Sequence, residues 1–419
     1  MPINNESDSS AVPYIELLAP AGNPEKLEIA LHYGADAAYL SDARFGLRAG
    51  AGNFTLEEMA AAIQKAHTMD KRIYVAVNIF AHGQDVEALP EYLLQLKDMD
   101  ADALIVSDPG VVMLAREHVP DMELHLSTQA NTLNAASVRF WKSAGVARIV
   151  LARELTLDEI AAIHHDVPDM ELEAFVHGSM CMAYSGRCFI SNYMTGRDAN
   201  KGDCTNSCRW NYALMENKRP DEYFPIEEDA RGTYFFNSKD LNLLAELPRI
   251  ITAGISSLKI EGRGKSIHYL ASTVATYRAA LDAFQSDPDS FSVHEQWQEE
   301  LMKIPNRGYT KGFLDGAPSN EDGYAPDKQK EAPGYQLVGI VREADTALGI
   351  RLDAKNKIEL GDRLECLTPS GVHEIVMQAL FDERGKPVDV LKPGFTGYLP
   401  KDLGLHALDI LRKHVVATS

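Results

Sequence analysis

The sequence predicts an α/β protein, a closed (β/α)8 barrel with a small C-terminal all-β domain, from three observations. First, eight short apolar runs alternate with amphipathic stretches over roughly the first 270 of 419 residues, the rhythm of a barrel with right-handed crossovers. Second, no Gly-x-Gly-x-x-Gly turn follows a strand, which weakens the alternative, an open doubly wound sheet with a dinucleotide site. Third, from Tyr335 the pattern changes to short strands split by turn signals, QLVGIV, LGIRL, DRLECL, HEIVMQAL and GYLP, as in a small antiparallel barrel or sandwich.

In chain order, IELLAP (Ile15 to Pro20) is the first strand, and Asn23-Pro24 opens the helix after it as cap and first-turn pair. DAAYL around Ala38 is the second strand, followed by a helix from Thr55 whose Thr-x-x-Glu to Glu58 spells a capping box. RIYVAVNIF, ALIVSD, ELHLSTQ and RIVLAR continue the series, and the helix TLDEIAAIHH follows the sixth strand. LEAFVHG is the seventh strand. SSLKIEG is the eighth and leads into a helix from Ser266 to about Phe284. The implied organisation is a disordered tail over 1–13, the barrel over 14–284, a helix and connector over 285–334, and the β-domain over 335–415.

One interruption breaks the barrel rhythm, an insertion at about 177–233. Loops of this length in a compact domain usually carry function, and in a barrel they rise from the catalytic face. Four of the five cysteines, Cys181, Cys188, Cys204 and Cys208, fall within 28 residues of it. Four thiolates can enclose zinc or an iron–sulfur cluster, and spacing alone leaves both open. Cys366, isolated in an apolar stretch, reads as a buried core residue. The N-terminus has no basic start, apolar core or cleavage site, and no apolar run is long enough to cross a bilayer. A cytoplasmic location is therefore expected, where thiols stay reduced and metal is favoured over disulfides.

A net charge of -20 repels polyanions at long range, so any nucleic-acid contact needs a local basic patch. Polar residues cluster where strands end. His177 and Glu261 are the candidate catalytic residues. Arg48, Asn78, Gln129, Arg187, Lys239 and Arg263 are the candidate substrate contacts. Together with Arg44, Asp108, Asn131, Arg153, Asp240 and Lys259 they make a partly cationic floor suited to a small anion. His177 also fits a hydrogen-bonded core histidine. Aromatic residues Tyr184, Phe189, Tyr193 and Trp210 lie among the cysteines. The His-Glu-x-x-His and Gly-x-Ser-x-Gly signatures of hydrolases are missing.

The stretch EAFVHGSMCMAYSGRCFISNYMTGRDANKGDCTNSCR, from Glu173 to Arg209, resembles the signature of the bacterial collagenase-like peptidases, a family of unassigned mechanism. ELLAPAGNPEKL, YGADAAYL, VAVNIF, LIVSDPG, HLSTQAN, FFNSKDL, SLKIEGR and NRGYTKGF carry the resemblance through nearly the whole chain. One departure is Ser41-Asp42, where many relatives have glycine. The resemblance implies a (β/α)8 barrel and a 4Fe–4S cluster on Cys181, Cys188, Cys204 and Cys208. Within the family, CMAYSGRC, CTNSCRW, NSKDL and KIEGR, with the C-terminal domain, are most similar to the branch that hydroxylates tRNA. That likeness implies 5-hydroxyuridine at the wobble position of the anticodon loop, with prephenate as the hydroxyl source. Sister branches, which hydroxylate ubiquinone precursors without oxygen or modify ribosomal RNA, and a true peptidase are the alternatives.

Overall fold

Eight parallel strands close on themselves in the computed structural model, which describes residues 14–47, 52–180, 190–197, 205, 207, 214–216, 219–224, 227–229, 232–234, 238–318 and 334–415. The barrel strands are β1 (Glu16–Pro20), β2 (Ala37–Leu40), β3 (Arg72–Val77), β4 (Ala103–Val106), β5 (Glu123–Leu126), β6 (Arg148–Val150), β7 (Glu171–Ser179) and β9 (Ile255–Ile260), with a short strand β8 (Asp240–Asn242) before the last. Neighbours among the eight barrel strands, β8 aside, pair in parallel, and β9 closes the ring by pairing with both β7 and β1. The eight expected strands are all present.

Local signals set the helices. In α1 (Pro24–His32), Asn23 Oδ1 accepts from Lys26 N at 2.9 Å, and Pro24 costs no hydrogen bond in the first turn. Reciprocal capping boxes start α2 (Leu56–Thr68) at Thr55–Glu58 and α6 (Leu157–Asp166) at Thr156–Glu159. Between them lie α3 (Gly83–Asp98), α4 (Pro109–His118) and α5 (Ala135–Ser143). Later helices are α7 (Ile190–Thr195), α8 (Leu247–Thr252), α9 (Ile267–Ser286) and α10 (Glu295–Met302). No helix among the described residues is long and apolar enough to cross a membrane.

Strand alternation divides the core in two. Leu17, Leu40, Val75, Leu104, Leu126, Leu172 and Leu258 are fully buried in the layer shared with the helices, each contributing about 1.5–3 kcal/mol by burial. Leu18, Ala37, Tyr39, Tyr74, Ala76, Ala103 and Ile105 form a separate cluster inside the barrel.

Two features of the rim were not anticipated. β8 runs antiparallel to the last three residues of β7, pairing Asp240 with Ser179, Leu241 with Gly178 and Asn242 with His177. A further strand, β10 (Tyr309–Thr310), pairs with β8. Two antiparallel hairpins, 214–216 with 219–224 and 227–229 with 232–234, lie in the insertion. The expected tail, 1–13, lies outside the described residues.

The C-terminal domain is a six-stranded antiparallel sheet of β11 (Tyr335–Thr346), β12 (Gly349–Ala354), β13 (Arg363–Thr368), β14 (Gly371–Val376), β15 (Thr396–Leu399) and β16 (Ile410–His414), in the order β14-β13-β16-β11-β12-β15. Cys366 is buried in its core. The domain is fastened to the barrel by polar contacts. Arg412 is fully buried and donates to Glu300 Oε2 at 2.5 Å and to Glu365 Oε2 at 2.7 Å, while Tyr33 OH donates to Leu367 O at 2.7 Å.

Candidate active site at the barrel mouth

The lower half of the barrel interior is ionic. Glu16, Tyr74, Arg148, Glu173, Ser257 and Lys259 all point inward from their strands and are buried. Arg148 Nη1 donates to Glu16 Oε1 at 2.5 Å, Tyr74 OH to Glu16 Oε2 at 2.5 Å, and Lys259 Nζ to Glu173 Oε1 at 2.5 Å. Ser257 Oγ bridges the two carboxylates at 2.9 and 3.3 Å. Two anions thus face two cations, the condition under which charges survive in a low-dielectric interior. Burial pushes the Glu173 carboxyl up, but Lys259 and Arg148 outweigh it and hold it below the ordinary carboxylate value. Such a layer forms a rigid floor for whatever binds above it.

Above this floor, cations and rings alternate. The Lys259 ammonium lies 4.6 Å from the Tyr39 ring centroid and 5.5 Å from that of Phe175. On Phe175 also rests the Arg153 guanidinium, 4.1 Å from the centroid, and Arg153 Nη1 donates to Ser179 O at 2.7 Å. These are cation–π distances, and the resulting surface presents both positive charge and flat apolar area at the C-terminal ends of the strands.

The expected site residues take different positions around this mouth. Arg263 donates to Ser41 Oγ, and its carbonyl accepts from Lys26 Nζ at 3.0 Å, so it joins the β9 end to the β2 end. Asn78 Oδ1 accepts from Leu47 N at 3.1 Å, tying the β3 end to the loop after β2. Gln129 is buried, with Oε1 accepting from Ser127 Oγ at 3.3 Å. Lys239 is half-buried beside Asp240, whose carboxylate pairs with the buried Arg307. Glu261 Oε2 accepts from Ser179 N at 3.0 Å, joining the β9 and β7 ends. Gly178 permits that closeness: at φ +118 a Cβ there would stand 2.7 Å from Glu261 Cβ. Arg48 and Arg187 lie outside the described residues.

His177 occupies a separate environment. Lys259 pairs with Phe175 and Ile260 with His177, so Val176 is an extra residue in β7. This bulge reverses the alternation, and His177 turns away from the face of Glu173 and Phe175. Its ring centroid lies 5.8, 5.5 and 5.4 Å from those of Tyr269, Tyr277 and Tyr309, with Nδ1 3.5 Å from Tyr277 OH. Burial, opposed by Asp240 and Glu261, lowers its pKa to about 3; it is a neutral imidazole at ordinary pH.

Cys181, Cys188, Cys204 and Cys208 also lie outside the described residues. Their chain neighbours are described in part. Met180, immediately before Cys181, accepts at its carbonyl from Ser238 Oγ at 2.9 Å. Thr205 N donates to Ser191 Oγ at 3.0 Å, the Ser191 and Thr205 hydroxyls lie 2.8 Å apart, and Thr205 Oγ1 meets Ser207 Oγ at 2.5 Å. Ser191 is three residues past Cys188, Thr205 follows Cys204 and Ser207 precedes Cys208. Positions next to Cys204 and Cys208, and one three residues past Cys188, are thereby gathered in one hydrogen-bonded trio.

Sequence reasoning missed Glu16, Arg148 and Glu173 as lumen residues, and Tyr39 and Phe175 as its rings. The available signal was a single charge inside an otherwise apolar strand, Glu16 in IELLAP and Glu173 in LEAF.

The model of Peptidase family U32 matches residues 22–323, and that of the Peptidase family U32 C-terminal domain matches residues 333–412. The chain belongs to peptidase family U32. Among its U32 relatives is tRNA hydroxylation protein P1 of Bacillus subtilis, 42% identical over 90% of this chain and 89% of that protein. tRNA hydroxylation protein P of Escherichia coli is 39% identical over 95% of this chain and 96% of that protein. A more distant relative, 23S rRNA 5-hydroxycytidine C2501 synthase of Escherichia coli, is 34% identical over 78% of this chain and 50% of that protein.

Proposed function

We propose that this protein is a tRNA-modifying hydroxylase that forms 5-hydroxyuridine at the wobble position, using a 4Fe–4S cluster on Cys181, Cys188, Cys204 and Cys208 and prephenate as hydroxyl source. The observation that carries the proposal is the near full-length similarity to two proteins named for tRNA hydroxylation. The mouth agrees with it in chemistry. Arg153, Lys259 and Arg263 supply positive charge toward a dicarboxylate, and rings suited to stacking lie at the same level. The uracil would reach the site from a single-stranded anticodon loop, where unstacking is cheap. When bound, the cluster would supply the redox capacity that these side chains lack. The protein's own share is to bind the acid, orient the base and exclude water.

A peptidase is the weaker reading on structural grounds. His177 sits among three tyrosines, and His125 Nε2 bonds Glu123 Oε1 at 2.7 Å. Cys366 is buried in the other domain with its thiol pushed up to about 12 by burial. None of the three forms an activated nucleophile pair.

The test is genetic. In a strain without a parallel oxygen-dependent route, deleting the gene removes 5-hydroxyuridine-derived nucleosides from digested tRNA. The wild-type chain restores them and Cys208→Ala does not. Unchanged nucleosides in the deletion strain, with gelatin cleavage by the purified chain, would decide for the peptidase.

A further inference from the structure

Most buried cations around the barrel interior have a carboxylate. Arg148 has Glu16 and Glu173, Lys259 has Glu173, and Arg307 has Asp240. Arg153 differs. Its guanidinium is held flat on Phe175 and by Ser179 O, its Nε is buried with no hydrogen-bond partner, and no carboxylate among the described residues pairs with it. The two contacts it makes fix the plane and occupy Nη1, leaving the Nε–Nη2 edge. That edge is the fork that matches a carboxylate bidentately. Leaving a buried N–H of a cation unsatisfied is costly in the absence of a ligand.

The neighbouring strand end repeats the pattern. Asn131 adopts a left-handed conformation, φ 52 and ψ 52, and its Oδ1 is buried without a partner, as is Oγ1 of the 1% exposed Thr132. Ala152 N reaches Thr132 O at 3.5 Å, so this loop lies against the chain just before Arg153. Strained backbone and unsatisfied polar atoms cluster at ligand sites.

We propose that Arg153 is the carboxylate-binding residue of the site, taking a small organic acid on its Nε–Nη2 edge. This rests on the hydroxylation reading above, in which a dicarboxylate is consumed. A small acid is favoured over a phosphate of the RNA backbone because Phe175, on which the guanidinium rests, lies directly over the buried Lys259 inside the barrel.

The experiment titrates prephenate calorimetrically into the full, cluster-loaded chain as wild type, Arg153→Lys and Arg153→Gln, with KM measured separately for prephenate and tRNA. Arg153→Gln weakens prephenate about 100-fold and Arg153→Lys about 10-fold, because lysine keeps the charge and loses the fork. KM for tRNA is unchanged. Wild-type affinity in Arg153→Gln overturns the inference and leaves the hydroxylation reading standing. A raised KM for tRNA with intact prephenate binding assigns Arg153 to RNA phosphate and also overturns it. Failure of the wild type to bind prephenate removes both. If Arg153→Gln does not fold, Phe175→Leu is read instead: a several-fold loss supports the stacked fork, and unchanged affinity contradicts it.

Discussion

Lys259 Nζ stands 2.5 Å from Glu173 Oε1 inside the barrel, with the lysine side chain 5% exposed and the glutamate fully buried. The pair separates an ionic floor from the cationic, aromatic mouth, so its integrity sets the shape of what binds above.

Lys259→Met therefore leaves the Glu173 carboxylate with Arg148 as its paired cation and Ser257 as a hydrogen-bond donor. Breaking a buried pair on one side typically costs about 3–5 kcal/mol, and denaturant unfolding at neutral pH should register a loss of that order. Lys259→Met with Glu173→Gln should recover much of it. A single variant as stable as wild type would refute the pairing.

Arg412 is the corresponding fixture at the domain junction, where Glu300 and Glu365 converge on it. Arg412→Met leaves Glu300 and Glu365 with Lys303 as their shared cation and should destabilise the chain by about 3–5 kcal/mol, with the C-terminal domain cleaved first in limited proteolysis. Equal protease resistance would contradict this.

Two buried histidines give a pH dependence. Burial lowers His177 from 6.5 to about 3, and burial together with Arg412 lowers His268 to about 4. The unfolded chain takes up these protons near pH 6.5 and the folded chain does not. Stability is thus full above pH 6.5 and falls as pH drops through the window toward the folded values, by up to about 1.4 kcal/mol per pH unit for each histidine. His177→Phe should flatten the slope between pH 6.5 and 5 measured by denaturant titration; an unaltered slope would count against a neutral, buried His177.

The fold was legible where periodicity and caps agree. Asn23, Thr55 and Thr156 mark helix starts in sequence and structure alike, and each expected barrel strand formed. What could not be read depends on tertiary pairing. Asp240–Asn242 becomes a strand only against the end of β7, and the extra residue Val176, which turns His177 toward α9, has no local signature. The partners of Glu16 and Glu173 could not be read either, because nothing in a strand pattern says that Arg148 waits across the lumen. The cysteine group is a reading of the sequence alone, since all four cysteines lie outside the described residues.

Iron content tests that group. Cys181→Ala, Cys188→Ala, Cys204→Ala and Cys208→Ala should each lose most of the iron after anaerobic purification. Cys366→Ala should keep it, because Cys366 is buried in the C-terminal core. Equal retention in all five would sink the cluster assignment.

The most direct measurement of the central claim is made with purified components. Anaerobic, cluster-loaded protein is incubated with unmodified tRNA and prephenate, and the wobble nucleoside is weighed by mass spectrometry. One added oxygen is expected on that uridine, dependent on prephenate and absent with Cys208→Ala. An unmodified uridine from a protein that retains its iron and binds the tRNA would contradict it.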